Sequence, residues 1–299
     1  MLLNLPLSRY KLHRAAALRG DSVVLDELFA RAKIISMLAD RFECSGNSLA
    51  FISPKLAEGD RYFLGLSSSG EPYFVVHQAS ELTEFGDNFQ SLRTLGARLD
   101  DLEVGAAVHA LALTQWHQSH LRCSKCGAQT QSILGGSARQ CEVCSGQHHP
   151  RTDPAIIVLV KDSQDRILLG RQKVWPEKRF STFAGFVEPG ESFESSVIRE
   201  VAEECGGSIT GMKYLGSQPW PFPASIMIAY EANISNPGSV AADGQEIEEI
   251  IWLTRDELKS KSASGELLLP PLISVARAMI NAWYGPMAES ELSGQSWRN

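Results

Sequence analysis

The chain has 299 residues, with 28 Lys plus Arg against 35 Asp plus Glu, a net charge of −7, and 43% hydrophobic residues. That length suits about two domains with real cores, and the composition excludes wholesale disorder. The longest unbroken apolar run, Ala155 to Val160, has six residues, far short of the ~20 a membrane helix needs. A mildly acidic chain exerts no general pull on nucleic acid, so any phosphate-bearing ligand must be held by local donors or metal ions.

Met1 to Tyr10 lacks the charged-then-apolar layout of a secretory signal. Arg9, Lys11, His13, Arg14 and Arg19 alternate with leucines and alanines as in organellar leaders, but Asp21, Asp26 and Glu27 follow at once. The expected location is cytoplasmic. Up to about residue 95, short apolar runs (Phe51-Ile52, Tyr62 to Leu64, Tyr73 to Val76) alternate with turn residues such as Glu58-Gly59-Asp60, which predicts a strand-rich domain. The glycine-free stretch Ala106 to Leu121 reads as a helical connector to the cysteines.

Four of the six cysteines lie within 22 residues, as Cys123-Ser-Lys-Cys126 and Cys141-Glu-Val-Cys144, two C-x2-C knuckles separated by 14 residues. Clustering of this kind in a long chain argues for a metal in a reducing compartment rather than a disulfide scaffold. Two knuckles complete a tetrahedral four-thiolate site with no position open to water, so one structural Zn2+ per chain is expected. Cys44 and Cys205 have no such spacing and read as small core residues.

Beyond the cysteines, Ala155 to Val160 predicts a buried strand, with Ile167 to Leu169 as its hairpin partner across the turn at Asp162 to Asp165. The expected boundaries are an N-terminal domain at 1–119, the ribbon at 120–152, a second domain at 153–285 and a frayed tail at 286–299. Within the second domain, strands are expected at Ser225 to Ala232 and, after the acidic stretch Asp243 to Glu249, at Ile250 to Leu253. A helix is expected from about Ile273 to Trp283.

Between them lies Gly185-Phe-Val-Glu-Pro-Gly-Glu191, then seven residues, then Arg199-Glu200-Val-Ala-Glu203-Glu204-Cys-Gly206. Ser192 as N-cap and Gly206 as a left-handed stop predict a helix of three to four turns, with Phe193, Val197, Val201 and Cys205 as its buried stripe. At 100° per residue Glu203, Glu200 and Glu204 share a sector about 100° wide. Like charges about 4 Å apart repel by roughly 4 kcal/mol at an effective dielectric near 20, and Arg199 can neutralise one of them. The surplus points to hard divalent cations, Mg2+ or Mn2+.

These residues resemble the Nudix box, G-x5-E-x7-R-E-U-x-E-E-x-G-U with U aliphatic. Gly185, Glu191, Arg199, Glu200, Val201, Glu203, Glu204 and Gly206 all fit, and Gly207 departs from the final aliphatic at a cost in packing at the helix exit. Further on, Ser217-Gln218-Pro219-Trp220-Pro221-Phe222-Pro223-Ala224-Ser225 carries three prolines that predict an extended backbone holding Trp220 and Phe222 as pre-ordered stacking surfaces. With the ribbon before it, this segment resembles the signature S-Q-P-W-P-F-P-x-S of the NADH pyrophosphatase branch of the Nudix family.

The resemblance implies an α+β fold: a strand-rich N-terminal domain, a four-cysteine zinc ribbon and a C-terminal α/β/α Nudix domain, in a homodimer. It implies hydrolysis of NAD(H) to nicotinamide mononucleotide and AMP, and removal of NAD caps from RNA. By position it assigns catalytic metal, Mg2+ or Mn2+, to Glu200, Glu204, Glu246 and the carbonyl of Ala184. Glu203 would share ligation or act as base, and Arg199 belongs to the same catalytic group. Phe186, the residues Gln218 to Ser225, and Ala276 are implied to bind substrate. His149 stands where the family carries tyrosine, so base stacking there is in question. The competing readings are a broad dinucleoside or ADP-ribose pyrophosphatase, and a zinc-ribbon regulator with a sensor Nudix domain. The regulator predicts lost glutamates and a basic recognition element, whereas the ribbon holds only Lys125 and Arg139 between its outer ligands.

Overall fold

A computed structural model describes residues 3–78, 85–292 and 297. Its contacts divide the chain into two units, Arg9–Thr152 with Trp220–Ala224, and Met1–Ser8 with Asp153–Pro219 and Ser225–Asn299. Among the described residues no helix is long and apolar enough to cross a membrane.

The first unit opens with α1 (Ser22–Phe29), whose first turn is capped by the Asp21 carboxylate accepting from the amides of Val23 and Val24. Strands β1 (Lys33–Leu38), β2 (Arg41–Ser45), β3 (Ser48–Leu49), β4 (Phe51–Ile52), β5 (Asp60–Leu66), β6 (Pro72–Gln78) and β7 (Phe89–Ser91) form the expected strand-rich sheet, ordered β3-β2-β1-β6-β5 with β4 on β1 and β7 on β2. Leu28 of α1 packs with Ile34, Phe63, Phe74 and Val76.

After the short α2 (Leu92–Leu95) comes α3 (Asp101–Ser119), which starts earlier than expected because Asp100 caps it, accepting from Leu102 and Glu103. It is core rather than connector: Ala106, Ala107, Ala110 and Leu111 are fully buried. Small side chains let neighbours close in on this helix from every side. At Gly105 a Cβ would fall 2.6 Å from the Tyr10 ring.

Strands β8 (Thr130–Ile133), β9 (Ala138–Cys141) and β10 (Gln147–His148) form the three-stranded ribbon, which groups with the N-terminal residues instead of standing apart. Arg139 and His117 account for this. Arg139 is 8% exposed and donates to the Thr130 hydroxyl (2.7 Å) and to Nδ1 of His117 (2.9 Å). His117 donates from Nε2 to the Gly136 carbonyl (2.8 Å) and stacks on Tyr62 with centroids 4.1 Å apart. Burial pushes its pKa down to about 4, so the ring stays neutral beside the guanidinium.

The second unit contains β11 (Asp153–Lys161), β12 (Ile167–Gln172), β13 (Phe183–Phe186), α4 (Phe193–Cys205), β14 (Ile209–Trp220), β15 (Ser225–Ile234), β16 (Ile247–Leu253), α5 (Arg255–Ser264), α6 (Val275–Tyr284) and α7 (Ala288–Glu291). The sheet order is β14-β15-β11-β12-β16, with β13 also on β11. β11 runs parallel to β15 and antiparallel to β12 and β13. Alternation along β11 builds two layers. Ile156, Val158 and Val160 pack with Val197, Val201 and Cys205 of α4, while Ile157 and Leu159 pack with Val275, Met279 and Ile280 of α6. The chain is therefore α+β, with an α/β/α second unit.

Two expectations are corrected. β16 begins at Ile247, inside the acidic stretch, because Ile247 is needed in the core. The tail does not fray at Gly285: Ala288 and Leu292 are buried in the α6 core, and Arg277 donates to the Leu292 carbonyl. Residues 293–296, 298 and 299 lie outside the described residues.

The Arg139 network makes a prediction. Arg139→Met strands the lone pair of His117 and the Thr130 groups in a buried setting, and should lower unfolding free energy by roughly 2 kcal/mol. Denaturant melts superimposable on wild type would show that the network is dispensable.

Candidate active site and metal centre

Helix α4 forms as its sequence dictates. The Ser192 hydroxyl accepts from the Ser195 amide, and Gly206 closes the helix at φ 68°. Val197, Val201 and Cys205 are fully buried, but Phe193 is 41% exposed and lies outside the stripe assigned to it. The packing loss expected at Gly207 is absent, since a Cβ there would lie 2.7 Å from the Val201 side chain. Val201 and its neighbours already fill the place of the family's aliphatic.

Arg199 does more than neutralise one glutamate. It grips both oxygens of Glu191 (2.7 and 2.9 Å), reaches Glu200 (2.7 Å) and Glu203 (3.0 Å), and donates to the Phe186 carbonyl (3.0 Å). Glu191 also accepts from the Glu188 amide at 3.0 Å, which closes the Gly-rich loop onto the helix. The guanidinium, helped by that amide, holds the Glu191 pKa down to about 2.

Glu200 lies directly over the backbone of β13. A Cβ at Gly185 would fall 1.9 Å from Glu200 Oε1, so only glycine leaves room for the carboxylate. Burial pushes the Glu200 pKa up, against the pull of Arg199. Glu204 is 4% exposed, and its Oε2 has no hydrogen-bond partner. Burial, then the charges of Glu200, Glu246 and Asp243, push its pKa up to about 9, opposed by a hydrogen bond from the Ala184 backbone.

Glu246 accepts from the Gln172 amide at 2.8 Å. Asp243, which the sequence reading did not single out, holds that loop by accepting from the amides of Glu246 (3.1 Å) and Ile247 (2.7 Å). Its position in the acidic stretch was the available signal. Glu203 stands apart, its side chain 61% exposed. An orphaned buried oxygen among all-oxygen donors fits a hard divalent cation and no softer one.

In the ribbon, the sulfurs of Cys123, Cys126, Cys141 and Cys144 all lie within 4.8 Å of one another. Cys123–Cys144 is 3.6 Å and Cys126–Cys141 is 3.5 Å, near the ~3.8 Å edge implied by metal–sulfur bonds of about 2.3 Å. Both knuckles turn alike: the Lys125 amide donates to the Cys123 sulfur and the Cys144 amide to the Cys141 sulfur (each 3.4 Å), and a left-handed residue, Gly127 or Ser145, follows the second cysteine. His148, not the exposed His149, touches the cluster, with Nε2 3.3 Å from the Cys123 sulfur. This contact had no spacing signal.

The proline-rich segment divides in role. Gln218 is fully buried, its oxygen accepting from the Leu7 amide (2.9 Å) and its nitrogen donating to the Ile273 carbonyl (2.9 Å), so it is a structural tie rather than a substrate contact. Pro219 sits in the edge strand β14, where no partner needs its missing N–H. Residues 221–224 form a turn rather than an extended run. Trp220 and Phe222 meet edge to face at 4.9 Å, and the Arg93 guanidinium lies 3.9 Å from the Phe222 centroid and 5.4 Å from that of Trp220. Gln115 donates to the carbonyls of Pro223 (2.8 Å) and Pro221 (3.2 Å). Cation, amide and prolines together fix the rings. Pro223 and Ala224 line a cleft of about 460 Å³ with Trp116, His120 and Arg151, a volume in the range of small-ligand sites. In the second unit, Phe186 is 60% exposed at the end of β13, Ser225 begins β15 opposite Asp153, and Ala276 is buried in the α6 core.

The model of the NUDIX domain matches residues 151–270. The chain is 35% identical over 293 residues to the NAD-capped RNA hydrolase NudC of Mycobacterium bovis, covering 93% of this chain and 94% of that protein. The Mycobacterium tuberculosis protein of the same name is 34% identical over the same span. The mitochondrial NAD(P)H pyrophosphatase NUDT13 of Mus musculus is 34% identical over 244 residues, 77% of this chain and 69% of that one.

The pKa of Glu204 has a consequence for stability. Its folded value, about 9, lies above the 4.5 of an exposed glutamate, so the stability that Glu204 contributes to metal-free protein is fully present below about pH 4.5 and is lost as pH rises through 9. Glu204→Gln removes that loss. Without divalent metal the variant should melt higher than wild type near pH 8 and equally near pH 4.5; equal melting at both would mean that Glu204 carries no unfavourable charge.

Proposed function

The chain belongs to the Nudix hydrolase family, in its NADH pyrophosphatase branch, and we propose that it hydrolyses the pyrophosphate of NAD(H) to nicotinamide mononucleotide and AMP and removes NAD caps from RNA. The observation that carries this is the glutamate helix, where Glu200 and Glu204 are buried beside Glu246 and Asp243 with one oxygen unpartnered. Such an arrangement is costly in an empty protein and favourable around a divalent cation. Broad relaxed specificity is less well supported, because the full aromatic-proline signature is present and its rings are rigidly held.

Glu200, Glu204 and Glu246, with the Ala184 carbonyl, would hold Mg2+ or Mn2+. Bound there, such cations would neutralise the pyrophosphate oxygens and acidify the attacking water. Water adds to one phosphorus, the anhydride P–O bond breaks, and each product leaves as a monophosphate. Exposed Glu203 takes the water's proton or completes the ligation. Arg199 keeps Glu191, Glu200 and Glu203 in register, and is a positioning residue. Phe186 and Trp220 supply ring faces for the bases. The ribbon cysteines would hold one structural zinc. We further propose a homodimer in a reducing compartment, the cytoplasm.

Steady-state kinetics on NADH, NAD and NAD-capped RNA side by side tests the assignment. Glu204→Gln should cut kcat by at least roughly a hundredfold in saturating Mg2+, since a lost ligand removes charge stabilisation in the transition state. Near-wild-type turnover would reduce α4 to a solvated face.

Trp220→Ala should weaken dinucleotide binding by about 1 to 3 kcal/mol, seen mainly in KM. An unchanged KM in a folded, metal-replete variant would make the loop purely structural. Purified protein should contain about one zinc per chain, lost in Cys141→Ser with a fall in melting temperature; zinc-free wild type would contradict the ribbon assignment.

A further inference from the structure

The ribbon of the first unit contains a polar contact that none of the catalytic chemistry uses. His148 lies on β10, and its Nε2 is 3.3 Å from the Cys123 sulfur. The ring is half-buried, and the sheet sets its place. His148 stands opposite Arg139 of β9, the residue that Thr130 and His117 hold in the core at 2.7 and 2.9 Å. A side chain carried on a strand so firmly registered gives up little further freedom in keeping its contact.

The four sulfurs differ in their surroundings. Cys123 and Cys141, the first cysteine of each knuckle, are buried, whereas Cys126 and Cys144 are exposed. Each buried sulfur accepts from a backbone amide, Lys125 for Cys123 and Cys144 for Cys141, both at 3.4 Å. Those donors come with the turn of the knuckle, whatever side chains it carries. His148 is an addition made by a side chain, and it falls on one sulfur of one knuckle.

Four thiolates around one dication leave negative charge over, spread on the sulfurs. A hydrogen bond to a metal-bound thiolate draws off part of that charge, which favours the thiolate form and blunts its attack on protons and electrophiles. A sulfur bound to metal has no proton to give, so at this contact the ring nitrogen is the donor and the imidazole carries its proton on Nε2. The ring is not needed as a ligand, because the four sulfurs, all within 4.8 Å of one another, already complete a tetrahedron. Resting on the structural-zinc reading above, we propose that His148 is a positioning residue of the ribbon's metal site, donating from Nε2 to the Cys123 thiolate and so setting how tightly the zinc is held.

The test uses full-length, zinc-loaded protein and compares wild type with His148→Phe and His148→Ala, which lack a donor, and with His148→Gln, whose amide nitrogen can donate from the same depth along the side chain. Competition with a chromophoric chelator should show zinc affinity about tenfold lower in the Phe and Ala variants, the usual scale for losing a partner of a metal ligand. The Gln variant should hold zinc nearly as wild type does. With Co2+ in place of zinc, the sulfur-to-metal charge-transfer band should move to longer wavelength in the donor-free variants alone, since a thiolate without the hydrogen bond gives up its electrons more readily.

Equal zinc affinity in wild type and the donor-free variants would overturn the proposal. So would a loss as large in the Gln variant as in Phe and Ala, which would make packing of the ring the cause, or an unmoved cobalt band beside weaker binding. A wild-type cobalt spectrum showing an imidazole in place of one thiolate would overturn it by making His148 a ligand. Wild type that binds neither zinc nor cobalt at the cysteines would instead remove the ribbon reading itself, and the proposal with it.

Discussion

The second unit is organised around a concentration of negative charge that the protein alone leaves unbalanced. Glu200 and Glu204 are buried, Asp243 and Glu246 bear on them, and the Arg199 guanidinium is divided among Glu191, Glu200 and Glu203. Carboxylates so placed are stable only if protonated or bound to a cation, which is why burial and mutual repulsion push Glu204 up to about 9. Rigid packing prevents the alternative, in which the side chains swing out to water. Gly185 has no Cβ so that Glu200 can lie against β13, and the hydrophobic stripe of α4 fixes the helix rotation that points Glu204 inward.

That geometry depends on the alternation of β11. Its even-numbered residues hold α4 and its odd-numbered residues hold α6, so one strand sets the position of both helical layers. β13 pairs with the same strand, Ile157 opposite Ala184 and Ile156 opposite Gly185. The backbone cradle for Glu200 and the core that orients its helix are thus referenced to the same five or six residues.

Much of this was legible in the sequence because the features are local. Caps at Ser192 and Gly206, the period of Val197, Val201 and Cys205, and the two cysteine knuckles each depend on residues fewer than a turn or two apart. What escaped was non-local. Nothing in its spacing marks Gln218 as a tie between Leu7 and Ile273, more than 50 residues from it on either side. Arg139 looked like a free basic residue until folding brought it to His117, 22 positions away. Asp243 is one acid in an acidic stretch until its loop folds back onto the amides of Glu246 and Ile247. The tail read as frayed because its few apolar residues lack a period, yet Ala288 and Leu292 complete a core laid down by α6.

The two units treat buried charge in opposite ways. In the first, Arg139 is satisfied by neutral acceptors, a hydroxyl, a carbonyl and an imidazole kept unprotonated by its own burial. Because β9 carries both Arg139 and Cys141, ordering of the cysteine knuckle and seating of the guanidinium are coupled through one short strand. A metal bound there would therefore act on more than its four ligands, through the strand that delivers Arg139 to His117 and the stack of His117 on Tyr62 of β5. The ribbon belongs to the N-terminal core for this electrostatic reason, whereas at α4 the carboxylate charge is left unsatisfied by the protein itself.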